Sequence, residues 1–342
     1  MTFKVQCRPS GHEFSVESGE SVLDAALRQG ITLPYGCRDG KCGTCKGAIL
    51  AGKVHYDGDQ PEALSEEDIN NGLAVFCQAH PDSGLSIKVK EVDQAQGIPI
   101  MRLPCRIAHI EELAHDVLRI DLKLPDNKRM PFLAGQYIDF LLKDGRRRAF
   151  SIANAPHDDN FIELHIRNVD GGEFTDYLFS ELKEKTLMRI EGPLGTFFIR
   201  DDSDRPIILM AGGTGFAPIK GMVEYALAQN SQRPMHLYWG ARAQRDLYMV
   251  DLPIQWAQTY EHIQFTPVLS DPRPEDNWTG RTGYVHDAIV ADYKDLSGYE
   301  IYAGGPPAMV HAGHDAFITQ GLLSENYYSD AFEFADDKQK RK

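Results

Sequence analysis

The sequence predicts a multidomain fold: a small β-rich domain, then an antiparallel β-barrel, then an α/β domain with a parallel sheet. Residues 1–92 contain short strand-like segments around one helical segment, and residues 100–203 alternate apolar and polar positions as barrel strands do. From residue 204 onward, short apolar strands alternate with helices. A length of 342 residues is sufficient for two or three such domains.

The first domain, residues 1–92, begins with two predicted strands, Phe3–Cys7 and Glu13–Val16. A helix is predicted over Val22–Gln29, because Ser21 fits the N-cap and Asp24 occupies the capping-box position. Residues 93–99 are polar and contain glycine and proline, which is typical of a linker.

The second domain, residues 100–203, contains one predicted helix, Phe174–Leu182. Its candidate strands are Cys105–Glu112, Val117–Leu124, Tyr137–Leu142, Phe161–Ile166 and Leu187–Glu191. The third domain, residues 204–335, starts with strand Ile207–Met210, helix Ile219–Gln229 and strand His236–Trp239. Continued alternation of strands and helices favours a parallel sheet.

Composition excludes several classes of function. The formal net charge of −14 argues against nucleic acid as a partner, because phosphate binding requires a basic surface. The N-terminus is too polar for a signal peptide, and the most apolar run, residues 206–219, is interrupted by glycines. We therefore expect a cytoplasmic protein without membrane contact. Its six cysteines are then expected to be metal ligands or buried thiols rather than disulfides.

Four cysteines form the strongest motif in the chain. Cys37, Cys42 and Cys45 have the spacing C-x4-C-x2-C, and Cys77 follows later, which is the plant-type ferredoxin spacing for a [2Fe–2S] cluster. Small residues between them suit a loop that wraps around two irons and points N–H groups at the sulfurs. A structural zinc site and unrelated core cysteines are the alternatives. Cys7 and Cys105 lie outside this spacing and are predicted to be buried.

A second motif, Arg148-Ala-Phe150-Ser151, follows a predicted barrel strand. The arginine can pair with a pyrophosphate, the aromatic ring can stack on a flat ring system, and the hydroxyl can bond a ring nitrogen. Further along, Gly172 and Thr175 flank a helix start, where N–H groups attract phosphate. The alternative is a plain strand with one charged face.

With these motifs in order, almost the whole chain resembles the ferredoxin-plus-ferredoxin-reductase-like family. Its members serve bacterial oxygenases, phenol and methane monooxygenases, and CDP-6-deoxyhexulose dehydrase. The resemblance implies a β-grasp plant-type ferredoxin domain, a flavin-binding β-barrel and a nucleotide domain. It also implies that FAD is held by these residues, with His165, Ile166 and Arg167 on the adenine side: Arg148, Phe150, Ser151, Asn154, His165, Ile166, Arg167, Gly172 and Thr175.

The third domain carries two glycine-rich loops. Gly212-Gly213-Thr214-Gly215-Phe-Ala-Pro218 lies between a strand and a helix, where backbone approaches a pyrophosphate closely. An ordinary strand–helix turn is the alternative, although the family's own loop has the same sequence. The second loop, Gly304-Gly305-Pro306-Pro307, resembles the family's Cys-Gly-Pro-Pro loop beside the nicotinamide. Gly304 replaces the family's cysteine, which leaves hydride geometry open.

The preference between NADH and NADPH is less clear from the sequence. Arg242 and Arg245 suit a 2′-phosphate, whereas Asp246 suits a 2′-hydroxyl, and all three are also consistent with a solvated loop. We expect NADH, with NADPH as the alternative. The segment Ser329–Glu333 is most similar to the deoxysugar reductase branch, and Phe332 within it is an expected cofactor contact.

These observations predict a reductase that moves electrons from NADH through FAD and the [2Fe–2S] cluster to an acceptor redox protein, an oxygenase or an iron–sulfur dehydrase. No side chain is expected to act as a catalytic acid, base or nucleophile, because the cofactors carry the chemistry. Two alternatives stay open: direct reduction of a small acceptor such as a quinone, and a non-catalytic redox module.

Overall fold

The computed structural model of the chain describes residues 2–333. It divides the chain into two compact units, one ending at Ile98 and the other beginning at Pro99. The boundary falls in the segment predicted as a linker, within which Asp93–Ala95 forms a short 3₁₀ turn.

The first unit is built on a five-stranded mixed sheet. Its strand order is β2-β1-β7-β3-β5, in which β1 and β7 are parallel and the other pairs are antiparallel. The elements are β1 (Phe3–Arg8), β2 (Glu13–Val16), α1 (Val22–Arg28), β3 (Lys46–Ala51), β4 (Val54–His55), α2 (Glu66–Asn70), β5 (Leu73–Val75), β6 (His80–Pro81) and β7 (Leu85–Lys88).

The predicted elements of this unit are confirmed to within one residue at each end. Helix α1 begins after Ser21, whose hydroxyl accepts a hydrogen bond from the Asp24 N–H at 3.1 Å. Ser21 also donates to the Asp24 carboxylate. Cys7 is fully buried, as predicted.

The second unit opens with a six-stranded antiparallel sheet. Its strand order is β11-β10-β13-β8-β9-β12, and the two edge strands approach each other at an isolated bridge between Ile152 and Leu164. The elements are β8 (Met101–Ala114), β9 (Val117–Lys123), β10 (Tyr137–Leu141), β11 (Arg147–Ser151), β12 (Ile162–Arg167), α3 (Glu173–Ser180) and β13 (Leu187–Leu194).

Strand β11 is an element that the sequence prediction placed outside the strands. The arginine run before Ala149 hides the alternation, because Arg147 is turned inward. Its guanidinium pairs with Glu191 and lies 3.4 Å from Asp139, and both acids are buried. A half-buried arginine therefore occupies a position where the pattern would require an apolar residue.

The rest of the second unit forms a six-stranded parallel sheet in the order β17-β16-β15-β14-β18-β19. Its elements are β14 (Ile207–Gly212), α4 (Phe216–Ala228), β15 (Met235–Ala241), α5 (Asp251–Thr259), β16 (Ile263–Leu269), β17 (Arg281–Thr282), α6 (Val285–Asp292), β18 (Glu300–Gly305), α7 (Pro307–Thr319) and β19 (Tyr327–Ala331).

Helix α4 begins three residues earlier than predicted, at Phe216 rather than Ile219. Pro218 therefore lies in the first turn of the helix, where its missing N–H needs no partner.

The strand order of the parallel sheet locates a ligand crevice. The chain runs outward from β14 to β17 and then returns to the other side of β14 as β18. Connections therefore diverge between β14 and β18, and ligands bind at the carboxyl ends of strands at such a switch point. Those ends are Gly212 and Gly305.

None of the helices within residues 2–333 combines the length and the apolar character that crossing a bilayer requires.

Candidate redox site

The four motif cysteines lie on two segments of the first unit. Cys37, Cys42 and Cys45 belong to the loop between α1 and β3, and Cys77 follows β5. The backbone N–H of Phe76 donates to Cys45 O at 3.1 Å, which ties the two segments together. Local folding thus brings Cys77 to the loop despite its distance in sequence.

The sulfurs are arranged as two pairs. Cys37 and Cys42 are hydrogen-bonded to each other, and each sulfur accepts the other residue's backbone N–H at 3.4 Å. Cys45 and Cys77 form the second pair, in which the hydrogen bond between the sulfurs, followed by burial, raises the pKa of Cys77. Two pairs of thiolates correspond to the two irons of a [2Fe–2S] cluster.

This arrangement disfavours the zinc alternative. A tetrahedral zinc ion with Zn–S bonds of about 2.3 Å holds its sulfurs about 3.8 Å apart. Among residues 2–333, the only three-membered group of potential ligands with all donor atoms within 4.8 Å is His115, Asp116 and Asp246, which contains no cysteine.

The cluster loop supplies N–H groups to the sulfurs. Besides the N–H of Cys42, the N–H of Asp39 donates to Cys37 Sγ at 3.3 Å. Arg38 has a positive φ of 63° and forms an ion pair with Asp24 of α1 at 2.7 Å. The loop is therefore held open around the sulfurs by its own backbone and by α1, which fits a negatively charged cluster.

The flavin motif lies on strand β11, at the edge of the antiparallel sheet. The half-buried ring of Phe150 packs against Phe140 and Phe174, with centroid distances of 5.9 and 6.1 Å. Arg148 is on the same face of the strand, where its Nη1 donates to the Arg147 carbonyl. Ser151 points to the opposite face and is almost fully buried.

Ser151 connects this motif to the nucleotide side of the unit. Its hydroxyl donates a hydrogen bond of 2.9 Å to Asp330 Oδ2 on β19. Asp330 is paired in register with Gly304 of β18, so the flavin serine and the second glycine-rich loop meet. Burial raises the pKa of Asp330 to about 6, and the hydrogen bond from Ser151 offsets part of that rise.

Other predicted flavin residues are engaged within the protein. The Asn154 side chain bonds the loop that follows it, through Phe161 O at 3.0 Å and the Glu163 N–H at 2.9 Å. The His165 ring is buried between Glu163 and Tyr248. Ile166 is fully buried in the apolar core of the antiparallel sheet. Side-chain contact with a ligand is thus restricted at all three positions.

Arg167 lies beside the nucleotide loop. A Cβ added to Gly213 would lie 2.5 Å from Arg167 Nη1. Arg167 Nε forms an ion pair with Asp116 at 3.2 Å. Within residues 2–333, however, neither Nε nor Nη2 of Arg167 has a hydrogen-bond partner of suitable geometry. Buried guanidinium donors without such partners fit a phosphate-bearing ligand.

The predicted phosphate site on the flavin side is the start of helix α3. Its N-cap is Gly172, which has no side chain to occupy the first N–H groups. The Thr175 hydroxyl accepts the Val169 N–H at 3.2 Å and donates to Gly172 O at 3.0 Å, so it shapes the preceding turn. The helix start is therefore suited to a pyrophosphate through its backbone.

The two glycine-rich loops touch at the carboxyl ends of β14 and β18. A Cβ on Gly215 would lie 1.9 Å from Gly304 O, so only glycine permits this backbone contact. Thr214 is the partly exposed residue between buried Gly213 and Gly215, and Pro218 is buried in the first turn of α4. This places the N-terminus of α4 at the crevice.

The second loop also holds the end of β19. Gly305 has a positive φ of 138°, and its carbonyl accepts the Phe332 N–H at 2.9 Å. Pro306 follows as the N-cap of α7. The structure thus brings Gly304, Gly305, Pro306 and Phe332 together at the carboxyl end of β18.

The candidate 2′ contacts differ in exposure. The Arg242 side chain is 72% exposed just beyond β15, whereas the Asp246 side chain is 5% exposed. Asp246 Oδ2 accepts the Ala243 N–H at 3.1 Å, which shapes its own loop. Arg242 therefore reaches solvent just beyond β15, and Asp246 does not.

Sequence reasoning missed Asp330. The motif Ser329-Asp330-Ala331 was noted only as a resemblance, and 179 positions separate Asp330 from Ser151. The available signal was an acidic residue within a short apolar strand at the end of a parallel sheet.

Three protein-family models match the chain in sequence order. They are a 2Fe-2S iron-sulfur cluster binding domain over residues 5–82, an oxidoreductase FAD-binding domain over 104–199 and an oxidoreductase NAD-binding domain over 209–315.

Relatives match over nearly their full length. The chain is 41% identical to the CDP-6-deoxy-L-threo-D-glycero-4-hexulose-3-dehydrase reductase of Yersinia pestis, covering 97% of this chain and 99% of that protein. It is 35% identical to the phenol hydroxylase P5 protein of Acinetobacter pittii, covering 98% and 96%. The crystal structure of the Amycolatopsis cytochrome P450 reductase GcoB matches with a TM-score of 0.80 at 34% identity, covering 96% of this chain and 98% of that one.

Proposed function

Because this chain belongs to the ferredoxin- and ferredoxin-reductase-like family of flavin reductases, we propose that the sites described above form one electron path. The protein is an oxidoreductase that transfers electrons from NADH through FAD and a [2Fe–2S] cluster to a partner protein. When bound, the flavin accepts two electrons as hydride and releases them singly.

The proposal assigns one cofactor to each of three domains. Residues 1–92 form a β-grasp ferredoxin domain, residues 100–203 a flavin β-barrel, and residues 204–335 a nucleotide domain whose last two residues lie outside the described part of the chain. The mixed five-stranded sheet, the meeting of strands β11 and β12, and the parallel sheet support these assignments.

We assign the cluster to Cys37, Cys42, Cys45 and Cys77, supported by their two-pair arrangement. FAD is assigned to β11 through Arg148, Phe150 and Ser151, and to the start of α3 at Gly172 and Thr175. We assign a structural role beside the flavin segment to three side chains that are engaged within the protein: Asn154, His165 and Ile166. The nucleotide is assigned to Arg167, Gly213, Thr214, Gly215, Pro218, Arg242, Gly304, Gly305, Pro306 and Phe332.

The observation that carries this assignment is the hydrogen bond from Ser151 to Asp330, which pairs with Gly304. It joins the residue expected beside the reactive flavin nitrogen to the loop expected beside the nicotinamide. Asp330, with a pKa of about 6, is placed to exchange a proton with Ser151 Oγ. This adds a proton-holding side chain to a site for which none was expected.

We propose NADH as the preferred coenzyme and the cytoplasm as the location. A 2′-phosphate is favoured by cations that converge on one point, whereas the side chains of Arg242 and Arg245 are 72% and 50% exposed to solvent. A cytoplasmic location is proposed because the ligand thiols must stay reduced until the cluster is inserted.

The proposed acceptor is an iron–sulfur dehydrase of the kind served by the Yersinia relative. The support is identity, which is 41% to that reductase and 35% to the phenol hydroxylase protein. An oxygenase component is the second candidate, since GcoB, matched at a TM-score of 0.80, is a cytochrome P450 reductase.

Anaerobic titration of the purified holoprotein with NADH, and separately with NADPH, tests the proposal. We expect NADH to bleach the flavin absorbance and produce the electron-spin signal of a reduced [2Fe–2S] cluster. A flavin that stays oxidised with both coenzymes would leave the non-catalytic module as the better account. Reduction of quinone at equal rates with and without the cluster would favour the small-acceptor alternative.

A further inference from the structure

Lys220 is a charged side chain in the interior of the second unit. It lies on helix α4, about one turn after the helix start at Phe216, and its side chain is only 8% exposed. Burying an ammonium group is unfavourable unless its charge and hydrogen bonds are satisfied. The partners of Lys220 therefore indicate what the residue does.

Two of those partners belong to the flavin-side sheet and its connections rather than to α4. Lys220 Nζ lies 3.1 Å from Glu163 Oε1 on β12, and it donates to the Ala153 carbonyl at 3.3 Å. Ala153 is two residues after Ser151. The third partner, Glu224 at 3.0 Å, is one turn further along α4. Lys220 thus links the helix behind the nucleotide loop to the backbone beside the flavin serine.

Glu163 is the centre of a larger buried network. It accepts a hydrogen bond from His165 at 2.8 Å and pairs with Arg119 at 3.2 Å. Burial alone would raise the pKa of Glu163, but His165 and the charges of Lys220 and Arg119 lower it to about 2. Glu163 is therefore ionised, and its negative charge matches the positive charge of Lys220.

A second contact between the same two regions involves His165 and Tyr248. The His165 ring binds Glu163 through Nε2 and lies 3.1 Å from the Tyr248 hydroxyl through Nδ1. Burial lowers the pKa of His165, so the ring is neutral, and Nδ1 accepts from the tyrosine. Tyr248 precedes α5 in the nucleotide region. This bond, like the ion pair of Lys220 with Glu163, therefore links the nucleotide region to strand β12.

The backbone of helix α4 packs tightly against the backbone of residues 153–154. A Cβ added to Gly221, the neighbour of Lys220, would lie 2.9 Å from Asn154 O and 3.3 Å from Ala153 O. Helix α4 therefore rests directly on residues 153–154. A change in how α4 is seated there displaces the nucleotide loop and the Ser151 segment relative to each other.

We propose that Lys220 is a positioning residue for hydride transfer, which fixes the nucleotide loop at the start of α4 against the flavin segment at Ser151. This inference rests on the proposed function. Replacing a buried ion pair by apolar groups often leaves stability unchanged or increases it, so the network is better explained by the geometry that it imposes. Small displacements of reacting groups lower rates by large factors.

The test measures flavin reduction by stopped flow under anaerobic conditions, in the FAD-loaded full chain, over a range of NADH concentrations. Lys220→Met should lower the limiting reduction rate by about tenfold or more, while the apparent NADH dissociation constant changes much less. The matched control is Glu224→Gln, which removes the partner within α4 and keeps both contacts to the flavin side. Its limiting rate should equal that of the unaltered protein.

If Lys220→Met does not retain FAD, the charge-balanced variant Lys220→Met/Glu224→Gln replaces it, with the same slow rate expected. A limiting rate equal to that of the unaltered protein in either FAD-loaded Lys220 variant would overturn the positioning role, even if the melting temperature fell. Failure of the unaltered protein to reduce its flavin with NADH or NADPH would instead reject the proposed function, and this inference with it.

Discussion

At the residue scale, Ser151 belongs to the flavin strand and also contacts the parallel sheet. It ends strand β11, where Phe150 and Arg148 face the other side, and its hydroxyl reaches Asp330 at 2.9 Å. Because Asp330 has a pKa of about 6, the direction of this hydrogen bond depends on pH. Protonated Asp330 can donate to Ser151, whereas ionised Asp330 can only accept.

The first prediction concerns Asp330→Asn. In the unaltered protein, flavin reduction by NADH should accelerate as pH falls through about 6, because protonated Asp330 leaves the Ser151 proton available to the flavin ring. Asparagine can donate at every pH, so the variant should show a flat profile. Stopped-flow rates of flavin reduction at saturating NADH, recorded across pH, give the profiles of the unaltered protein and of the variant.

Asp315→Asn is the control, because this acid on α7 has a side chain 85% exposed and should retain the profile of the unaltered protein. A rise at low pH that persists unchanged in Asp330→Asn would remove Asp330 from the proton path.

The second prediction concerns Arg148→Ala. Loss of a charge-assisted hydrogen bond to phosphate should weaken FAD binding by on the order of 2 kcal/mol, or about thirty-fold in dissociation constant. Fluorescence titration of the apoprotein with FAD measures this. Arg106→Ala, an exposed arginine on β8, is the control and should bind FAD normally. Equal FAD affinities of the Arg148 and Arg106 variants would contradict the assignment.

At the element scale, the cluster loop between α1 and β3 and the turn after β5 form one binding element. The third prediction is that Cys42→Ser loses the cluster but retains FAD and NADH-driven ferricyanide reduction, because that dye can take electrons at the flavin. Iron and sulfide analysis should give about two of each per unaltered chain. Cys7→Ala, which changes a buried thiol outside the loop, should retain both the iron and the sulfide. Full cluster content in Cys42→Ser would refute the ligand assignment.

The two glycine-rich loops form the second such element. The fourth prediction is that Gly215→Ala strongly lowers kcat/KM for NADH, because the added Cβ would lie 1.9 Å from Gly304 O and push the loops apart. Gly304→Cys restores the family's cysteine, and its Cβ would lie 3.1 Å from Gly215 O, which a small shift relieves. Steady-state kinetics should therefore rank Gly304→Cys well above Gly215→Ala. The reverse order would contradict the observed packing of the loops.

At the scale of the whole molecule, local signals were enough for the order of elements and for the choice of four cysteines as candidate ligands. The C-x4-C-x2-C spacing and the cap at Ser21 act over a few residues, so the sequence exposes them directly. Strand β11 was missed because the half-buried Arg147 pairs with Glu191, which is distant in the sequence. Helix α4 can begin before Pro218 because proline is compatible with the first turn of a helix.

The contacts that complete the site depend on sheet register. Ser151 meets Asp330 because β19 pairs with β18, and Lys220 meets Glu163 because α4 packs on residues 153–154. Such contacts join residues far apart in sequence, and no periodicity within either segment encodes the partner. Roles for Asp330 and Lys220 could therefore be argued only from the fold.

Electrons are expected to reach the cluster through the flavin. A single-turnover experiment tests it most directly: the holoprotein is mixed anaerobically with NADH, and flavin absorbance and the cluster's electron-spin signal are followed in time. We predict that flavin bleaching precedes the cluster signal, and that protein stripped of FAD gives no cluster signal on this timescale. Rapid reduction of the cluster by NADH in FAD-free protein would contradict the account.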